Sequence, residues 1–235
     1  MDESHGRDYL RTGSCFEVFA GVAVIGRSRP INSTSGGDRW GFGKFLLSLR
    51  AGMNAIFLIG FMGCGKSTLG RALEAATGLR MIDLDEWIEQ REGCSVSRLF
   101  EERSEAGFRE IERDALAEVS RMKNVIVACG GGTPCFFNNM EVMNRAGLSV
   151  WLDASVGRLH ERLALAREKR PLIAQMADDE LQGYIGRALD ARRPFYSQAA
   201  ARFCADRLDD ERQIAESVEE FRRRFLGDTI CRGEK

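Results

Sequence analysis

The sequence predicts a three-layer α/β fold, in which a five-stranded parallel sheet carries helices on both faces. Two observations lead to this prediction. Short apolar runs alternate with amphipathic segments along most of the chain, which is typical of a parallel sheet with covering helices. The chain has 235 residues, of which 44% are hydrophobic, so a single domain of this size can bury a substantial core.

Five short apolar runs are the predicted strands. They lie at residues 55–59, 80–82, 124–128, 148–152 and 201–204. Segment 105–121 places Phe108, Ile111, Ala115 and Val119 at intervals of three or four residues. This spacing puts the four side chains on one face and predicts an amphipathic helix.

Residues 1–52 differ from the rest of the chain. They have mixed charge and show no sustained helical or strand period. Because Met53 stands directly before the first predicted strand, we expect a folded domain over 53–227 and a tail over 228–235. We expect 1–52 to be a flexible extension, either disordered or translated from a wrongly assigned start. A targeting or partner-binding arm is the alternative.

Charge and cysteine content exclude several function classes. The net charge is −1, from 34 basic and 35 acidic residues, which argues against nucleic acid or an acidic membrane as a partner. No apolar run reaches the 18 residues that a membrane span needs. Seven cysteines without a C-x-x-C pair, and two histidines, disfavour a zinc site or a disulfide framework. We therefore expect a cytoplasmic protein with reduced thiols, and a monomer, because no coiled-coil pattern is present.

Residues 60–68 read GFMGCGKST and fit the pattern G-x-x-x-x-G-K-[ST] between a predicted strand and a helix-forming segment. We call them the phosphate loop. Its glycines let backbone N–H groups face phosphate oxygens, Lys66 can reach the β- and γ-phosphates, and Ser67 can ligate Mg²⁺. The segment predicts a P-loop NTPase fold, with a glycine-rich turn that binds nothing as the alternative. We expect the Cys64 thiol to be exposed in the ligand-free protein.

The second predicted strand runs into Asp83-Leu84-Asp85. Alternation along a strand would place both carboxylates on one side, near the phosphate loop. One carboxylate could then hold Mg²⁺ through water while the other meets an acceptor hydroxyl. A helix-capping role, for example by Asp85, is an equally good interpretation of this segment alone.

Three further patterns are candidates for a ligand site. The triplet Gly130-Gly131-Gly132 follows the third strand, where it forms either a turn or a surface of backbone amides. Because this strand ends without an aspartate, the magnesium role falls to Asp83. Arg109 lies three residues before Glu112, so the two can pair on a helix face, and Arg109 and Arg192 are candidate forks for a carboxylate. Segment 167–179 is charged and contains a proline, which suits a mobile lid or a surface loop.

Taken together and in this order, the phosphate loop and the motifs D-x-D, G-F-R-x-x-E, G-G-G, R-P-L-I and R-x-P-x-Y resemble the shikimate kinase family. The resemblance covers about residues 53–226. It implies that ATP phosphorylates the 3-hydroxyl of shikimate, with Mg²⁺ as cofactor, to give 3-phosphoshikimate and ADP. Small molecules, rather than macromolecules, are the partners that it implies.

The resemblance also implies a role for each matching residue. Those expected to act in catalysis are Lys66, Asp85 as the base, and Arg170 of the lid. Those expected to bind ATP are Gly63, Cys64, Gly65, Lys66, Ser67, Thr68 and Arg170. Those expected to bind shikimate are Asp85, Arg109, Gly130, Gly131, Gly132 and Arg192. Ser67 and Asp83 are the expected magnesium ligands, Asp83 through water.

One departure from the family concerns the loop that holds adenine. The corresponding segment, 206–210, reads DRLDD and lacks the usual proline, and Arg162 is a candidate to stack on the base. Two alternatives to an active shikimate kinase remain open from the sequence: a catalytically silent binding or regulatory domain of the same family, and a kinase of another small polyol such as gluconate.

Overall fold

The computed structural model describes residues 54–167, 173–174 and 176–227. The predicted N-terminal extension, the lid arginine Arg170 and the C-terminal tail lie outside the described residues. Their assignments, and the domain limits at 53 and 227, stay predictions.

Five parallel strands form one sheet in the order β2-β3-β1-β4-β5. They are β1 (Ala55–Ile59), β2 (Arg80–Asp83), β3 (Val125–Ala128), β4 (Gly147–Asp153) and β5 (Ala201–Cys204). All five predicted strands are confirmed, and no boundary differs by more than one residue. Asn124 falls outside β3 because its φ of 58° is left-handed, which is incompatible with an extended strand.

Seven α-helices connect and cover the strands within the described residues. They are α1 (Lys66–Thr77), α2 (Leu84–Glu92), α3 (Val96–Val119), α4 (Asn139–Ala146), α5 (Val156–Leu165), α6 (Asp178–Tyr196) and α7 (Glu211–Phe221). A 3₁₀ turn at Thr133–Cys135 and a π-helical turn at Arg222–Leu226 complete the described elements. The predicted three-layer α/β fold is confirmed.

The predicted helix at 105–121 is the second part of the longer helix α3. Ser104 interrupts α3 with φ 62° and ψ 172°, so the chain changes direction there before the amphipathic part begins. The part that follows buries Phe108, Ala115 and Val119, as the spacing predicts.

Strand β1 lies at the centre of the sheet, and all five of its residues are fully buried. It pairs with β3 on one side and with β4 on the other. Asp83, the last residue of β2, pairs with Ala128, the last residue of β3. In parallel sheets ligands bind beyond the carboxyl ends of the strands, and here the phosphate loop, Asp83 and the glycine triplet all lie at such ends.

None of the helices in the described part of the chain has both the length and the apolar character needed to cross a membrane.

Candidate functional site

The phosphate loop connects β1 to α1 and has three glycines in conformations with positive φ. The φ angles are 142° at Gly60, 80° at Gly63 and 96° at Gly65, values that other residues rarely adopt. The Lys66 ammonium donates hydrogen bonds to the carbonyls of Gly60, at 2.9 Å, and Phe61, at 3.0 Å. The lysine is thereby held across the loop, with its charge beside the backbone that would receive phosphates.

Cys64 is fully buried, so the expectation of an exposed thiol is wrong. Its sulfur fills the space beneath Gly60, where an added Cβ would come within 2.9 Å of it. Its amide donates a 3.2 Å hydrogen bond to the carbonyl of Phe61 within the loop. Cys64 can therefore meet a ligand only through its backbone.

Asp83 links the phosphate loop to the start of α2. One of its oxygens accepts a 2.8 Å hydrogen bond from the Ser67 hydroxyl, and the other accepts from the Asp85 amide at 3.2 Å. Asp83 is therefore the N-cap of α2, and Asp85 lies in the first helical turn. Asp83 and Asp85 do not alternate along a strand as the sequence predicts, because the chain is already helical at Leu84. The predicted cause of their alignment is therefore wrong. The capping role belongs to Asp83, not to Asp85.

Burial and neighbouring charges raise the pKa of Asp85 from 3.8 to about 6. Desolvation is the largest cause, followed by repulsion from Asp83 and Glu112, while Lys66 and Arg109 act in the opposite direction. A carboxylate whose pKa lies closer to neutrality is a better proton acceptor and is still ionised at pH 7.

Arg109 is held in place by two carboxylates and an aromatic ring. Its Nη1 lies 2.8 Å from Glu112 and its Nη2 lies 3.2 Å from Glu105. The guanidinium carbon is 4.2 Å from the centre of the Phe136 ring. Only 12% of the arginine side chain is exposed, so this is not an ordinary surface pair. Its Nε is buried and has no acceptor among the described residues.

Glu112 connects Arg109 to the segment that carries the glycine triplet. Its side chain is 1% exposed, and its second oxygen accepts a 2.6 Å hydrogen bond from the Thr133 hydroxyl. Asn139 in turn donates to the Thr133 carbonyl at 2.9 Å. A buried carboxylate is stable only when it is paired and hydrogen-bonded in this way. The G-F-R-x-x-E motif includes Glu112, but nothing in the sequence pairs it with Thr133.

The glycine triplet runs between the candidate catalytic and binding side chains. A Cβ on Gly130 would lie 3.2 Å from Asp85, and one on Gly132 would lie 2.7 Å from Arg109. A Cβ on Gly131 would lie 3.3 Å from Arg192. The triplet therefore needs glycine for close approach, and it brings Asp85, Arg109 and Arg192 to one place.

Arg192 projects from α6, and its guanidinium carbon lies 5.1 Å from the centre of the Phe61 ring in the phosphate loop. One helical turn later, the buried Tyr196 donates a 2.6 Å hydrogen bond to the carbonyl of Gly131. Tyr196 was not among the predicted site residues, although the R-x-P-x-Y motif contains it. The four-residue spacing of Arg192 and Tyr196 places both on one helix face, and this spacing could have identified Tyr196 as a site residue.

Arg162 braces the segment 205–210, which follows β5. All three nitrogens of its guanidinium are engaged there, with the Asp209 carboxylate at 2.6 Å and the carbonyls of Ala205 at 2.9 Å and Asp206 at 3.1 Å. Leu208 of the same segment packs on Gly65, where a Cβ would come within 2.6 Å of it. The segment thus borders the phosphate loop.

The residues beside the phosphate loop suit Mg²⁺. Nowhere in the described ranges do three His, Cys, Asp or Glu residues gather as a metal cluster. Mg²⁺ commonly binds through one or two protein oxygens together with substrate phosphates and water. The Ser67 hydroxyl and the Asp83 carboxylate, 2.8 Å apart, supply oxygens of this kind next to the loop.

Comparison with known proteins agrees with this geometry. The family model for shikimate kinase matches residues 62–223. A shikimate kinase from Phocaeicola vulgatus is 51% identical over 173 residues, which cover 74% of this chain and 99% of that protein. One from Bacteroides fragilis is 48% identical over 171 residues, covering 73% and 96%.

Solved structures give the same result. The crystal structure of the Bacteroides thetaiotaomicron shikimate kinase superposes with a TM-score of 0.71 at 47% identity, covering 73% of this chain and 97% of that one. A shikimate kinase from Acinetobacter baumannii in complex with shikimate gives a TM-score of 0.65 at 25% identity, covering 78% and 99%. The chain therefore belongs to the shikimate kinase family.

Proposed function

We propose that this chain transfers the γ-phosphoryl group of ATP to the 3-hydroxyl of shikimate, giving 3-phosphoshikimate and ADP. The observation that carries the proposal is the convergence of Asp85, Arg109 and Arg192 on the glycine triplet beside the phosphate loop. Phosphoryl transfer depends mainly on positioning and charge neutralisation, and this arrangement offers both. The alternatives, a silent domain and a gluconate-type kinase, are not favoured, because the relatives with high identity and coverage are shikimate kinases.

The two arginines account for an acceptor that carries a carboxylate. A guanidinium presents a rigid fork of N–H donors that suits a carboxylate better than an ammonium does. The Nε of Arg109 is buried and has no acceptor in the described part of the chain, whereas Nη1 and Nη2 are paired with Glu112 and Glu105. The carboxylate of shikimate would be held by the guanidinium groups of Arg109 and Arg192.

Asp85 would receive the proton of the attacking hydroxyl. It lies at the side of the triplet, close to both Glu112 and Lys66. With its pKa raised to about 6, it is ionised at neutral pH and is more basic than an ordinary aspartate. A shikimate hydroxyl that hydrogen-bonds to Asp85 would face the phosphate loop.

The nucleotide side uses Lys66, Ser67 and Asp83. Lys66 would exchange its carbonyl contacts with Gly60 and Phe61 for phosphate oxygens, and the amides of Gly63, Cys64, Gly65 and Thr68 would contact the phosphates. Ser67 and Asp83 would hold Mg²⁺, Asp83 through water. When bound, Mg²⁺ neutralises charge on the phosphates. The predicted part of Arg170, closing a lid over the phosphates, belongs to the same proposal.

We further propose that the protein works as a cytoplasmic monomer with no nucleic-acid or membrane partner. The even charge balance supports this. The cysteines at five described positions, Cys64, Cys94, Cys129, Cys135 and Cys204, are unpaired, which fits a reducing compartment.

A substrate panel tests the proposed function. ADP release is measured on the full chain with ATP and Mg²⁺, in the presence of shikimate, gluconate or no acceptor. We expect release that depends on shikimate and exceeds the rate with gluconate by at least about a hundredfold, since a site built for specific polar contacts discriminates by this much or more. Equal rates with and without shikimate would contradict the proposal.

A further inference from the structure

We propose that Tyr196 is a positioning residue for the acceptor: its hydroxyl fixes the peptide between Gly131 and Gly132, so that the Gly132 amide faces the substrate. This inference rests on the proposed function, because it assigns the amide to the shikimate side of that site. Tyr196 itself does not contact the reacting atoms.

The carbonyl groups of the glycine triplet are all held by donors of the protein. The Gly130 carbonyl accepts from the Thr133 amide at 3.2 Å, and the Gly132 carbonyl accepts from the Cys135 amide at 2.8 Å. Both are local turns. The Gly131 carbonyl is different, because its donor is the Tyr196 hydroxyl, 65 positions away in sequence and 2.6 Å away in space.

The amides show the opposite pattern. Within the described ranges, the N–H groups of Gly131 and Gly132 donate to no acceptor. In a trans peptide the carbonyl of one residue and the N–H of the next point in opposite directions. The hydrogen bond from Tyr196 to the Gly131 carbonyl therefore directs the Gly132 N–H away from the tyrosine.

The peptide between Gly131 and Gly132 can adopt two orientations unless another contact fixes it. Rotating the peptide between two glycines changes ψ of the first and φ of the second, and glycine accepts either sign of φ. Gly132 has φ of −91° here. Because it is a glycine, it could equally adopt the positive φ that a flipped Gly131–Gly132 peptide requires. A long-range hydrogen bond is the contact that selects one orientation of the Gly131–Gly132 peptide.

Tyr196 is well placed for this task. It is the last residue of α6 and is fully buried, and its ring lies 5.9 Å from that of Trp151 on β4. The guanidinium of Arg192, one turn earlier, reaches the same glycine, because a Cβ on Gly131 would lie 3.3 Å from its Nη1. Burial raises the pKa of Tyr196 well above its usual range, so the hydroxyl keeps the proton that it donates.

The test is Tyr196→Phe, which removes the hydroxyl and keeps the ring. We expect the KM for shikimate to rise about three- to tenfold, which is the effect of losing roughly one hydrogen bond, and the KM for ATP to stay within twofold. The matched control is Trp151→Phe, which disturbs packing around the same ring and leaves the hydroxyl in place. It should lower the melting temperature but leave the KM for shikimate unchanged.

Several outcomes would overturn the proposal. An unchanged KM for shikimate in Tyr196→Phe would do so, as would equal increases in both variants, which would show a purely structural role.

A second measurement needs no substitution: adding shikimate to ¹⁵N-labelled protein should shift the Gly132 amide resonance, and an unmoved resonance at saturation excludes the contact. If the unsubstituted protein shows no turnover with shikimate, the proposed function fails and takes this inference with it. Normal turnover with an unaffected Tyr196→Phe variant overturns only the inference.

Discussion

The guanidinium carbon of Arg109 lies 4.2 Å from the centre of the Phe136 ring. This contact brings the segment after the glycine triplet onto the arginine that is proposed to bind the substrate carboxylate. The rings of Phe108 and Phe100 lie farther away, at 5.3 Å and 5.6 Å. Packing on aromatic rings favours one orientation of the arginine.

We predict that Phe136→Leu raises the KM for shikimate about three- to tenfold, because the aromatic contact contributes about 1 kcal/mol to the placement of Arg109. Steady-state kinetics with shikimate as the varied substrate measure this. Phe137→Leu is the matched control: that neighbour is 56% exposed and its ring lies 5.0 Å from Arg113 instead. Similar KM values in the two variants would disprove a special role for Phe136.

Replacing the Arg109 guanidinium should raise the KM for shikimate more than replacing Phe136 does. We predict that Arg109→Lys raises the KM for shikimate at least about tenfold, because an ammonium cannot make two parallel hydrogen bonds to a carboxylate. Arg113→Lys, on the same helix but 41% exposed and paired with Asp114, should behave like the unsubstituted protein. An unchanged KM in Arg109→Lys would remove Arg109 from the acceptor site.

The ionised carboxylate of Asp85 should lower the free energy of unfolding, although catalysis requires it. Its folded-state pKa of about 6 lies above the ordinary value of 3.8, so its ionised form is less favourable in the folded protein than in the unfolded chain. The penalty is fully present above pH 6 and disappears as pH falls toward 4. Asp85→Asn should therefore raise the free energy of unfolding by roughly 1–3 kcal/mol at pH 8, and by less at pH 5.

Urea unfolding of both proteins at pH 8 and pH 5 measures this difference. The same variant should lose about 10²–10⁴-fold in kcat, because general base catalysis has that magnitude. A variant that is less stable at pH 8 than the unsubstituted protein would contradict the stated origin of the pKa shift. A variant with normal kcat would exclude Asp85 as the base.

Thiol reactivity tests the inward orientation of Cys64. Cys64 is fully buried, whereas Cys204 on the edge strand β5 is exposed. We predict that iodoacetamide alkylates Cys204 at least about a hundredfold faster than Cys64 in the native protein, and that the rates converge in denaturant. Peptide mass spectrometry gives both rates from one sample. Rapid labelling of Cys64 in the folded protein would show that the phosphate loop opens.

Most of the fold can be predicted from local pattern. The buried strand β1 is a continuous apolar run, and the carboxyl end of such a run followed by glycines locates the phosphate loop. The kink at Ser104 could not be predicted, because serine does not by itself favour φ of 62°. The D-x-D segment is compatible with either a strand end or a helix start, and local pattern does not show that Asp83 caps the helix while Asp85 lies within it.

The candidate site can be predicted only in part from the sequence. Arg109, Arg192 and the triplet are visible as motifs, but the contacts that hold them join distant segments. Thr133 meets Glu112 across 21 positions, and Tyr196 meets Gly131 across 65. No spacing rule within a helix or strand links residues so far apart, so these partners emerge only when the sheet brings α3, α6 and the end of β3 together.

The identity of the product shows whether this chain phosphorylates shikimate and at which hydroxyl. The full chain is incubated with ATP, Mg²⁺ and shikimate, and the phosphorylated product is analysed by ³¹P and ¹H NMR, with Lys66→Met as the inactive control. We predict a single phosphate ester on the 3-hydroxyl of shikimate, formed in equal amount to ADP and absent with Lys66→Met. ADP formed without any phosphorylated shikimate, or a phosphate on another hydroxyl, would contradict the proposed function.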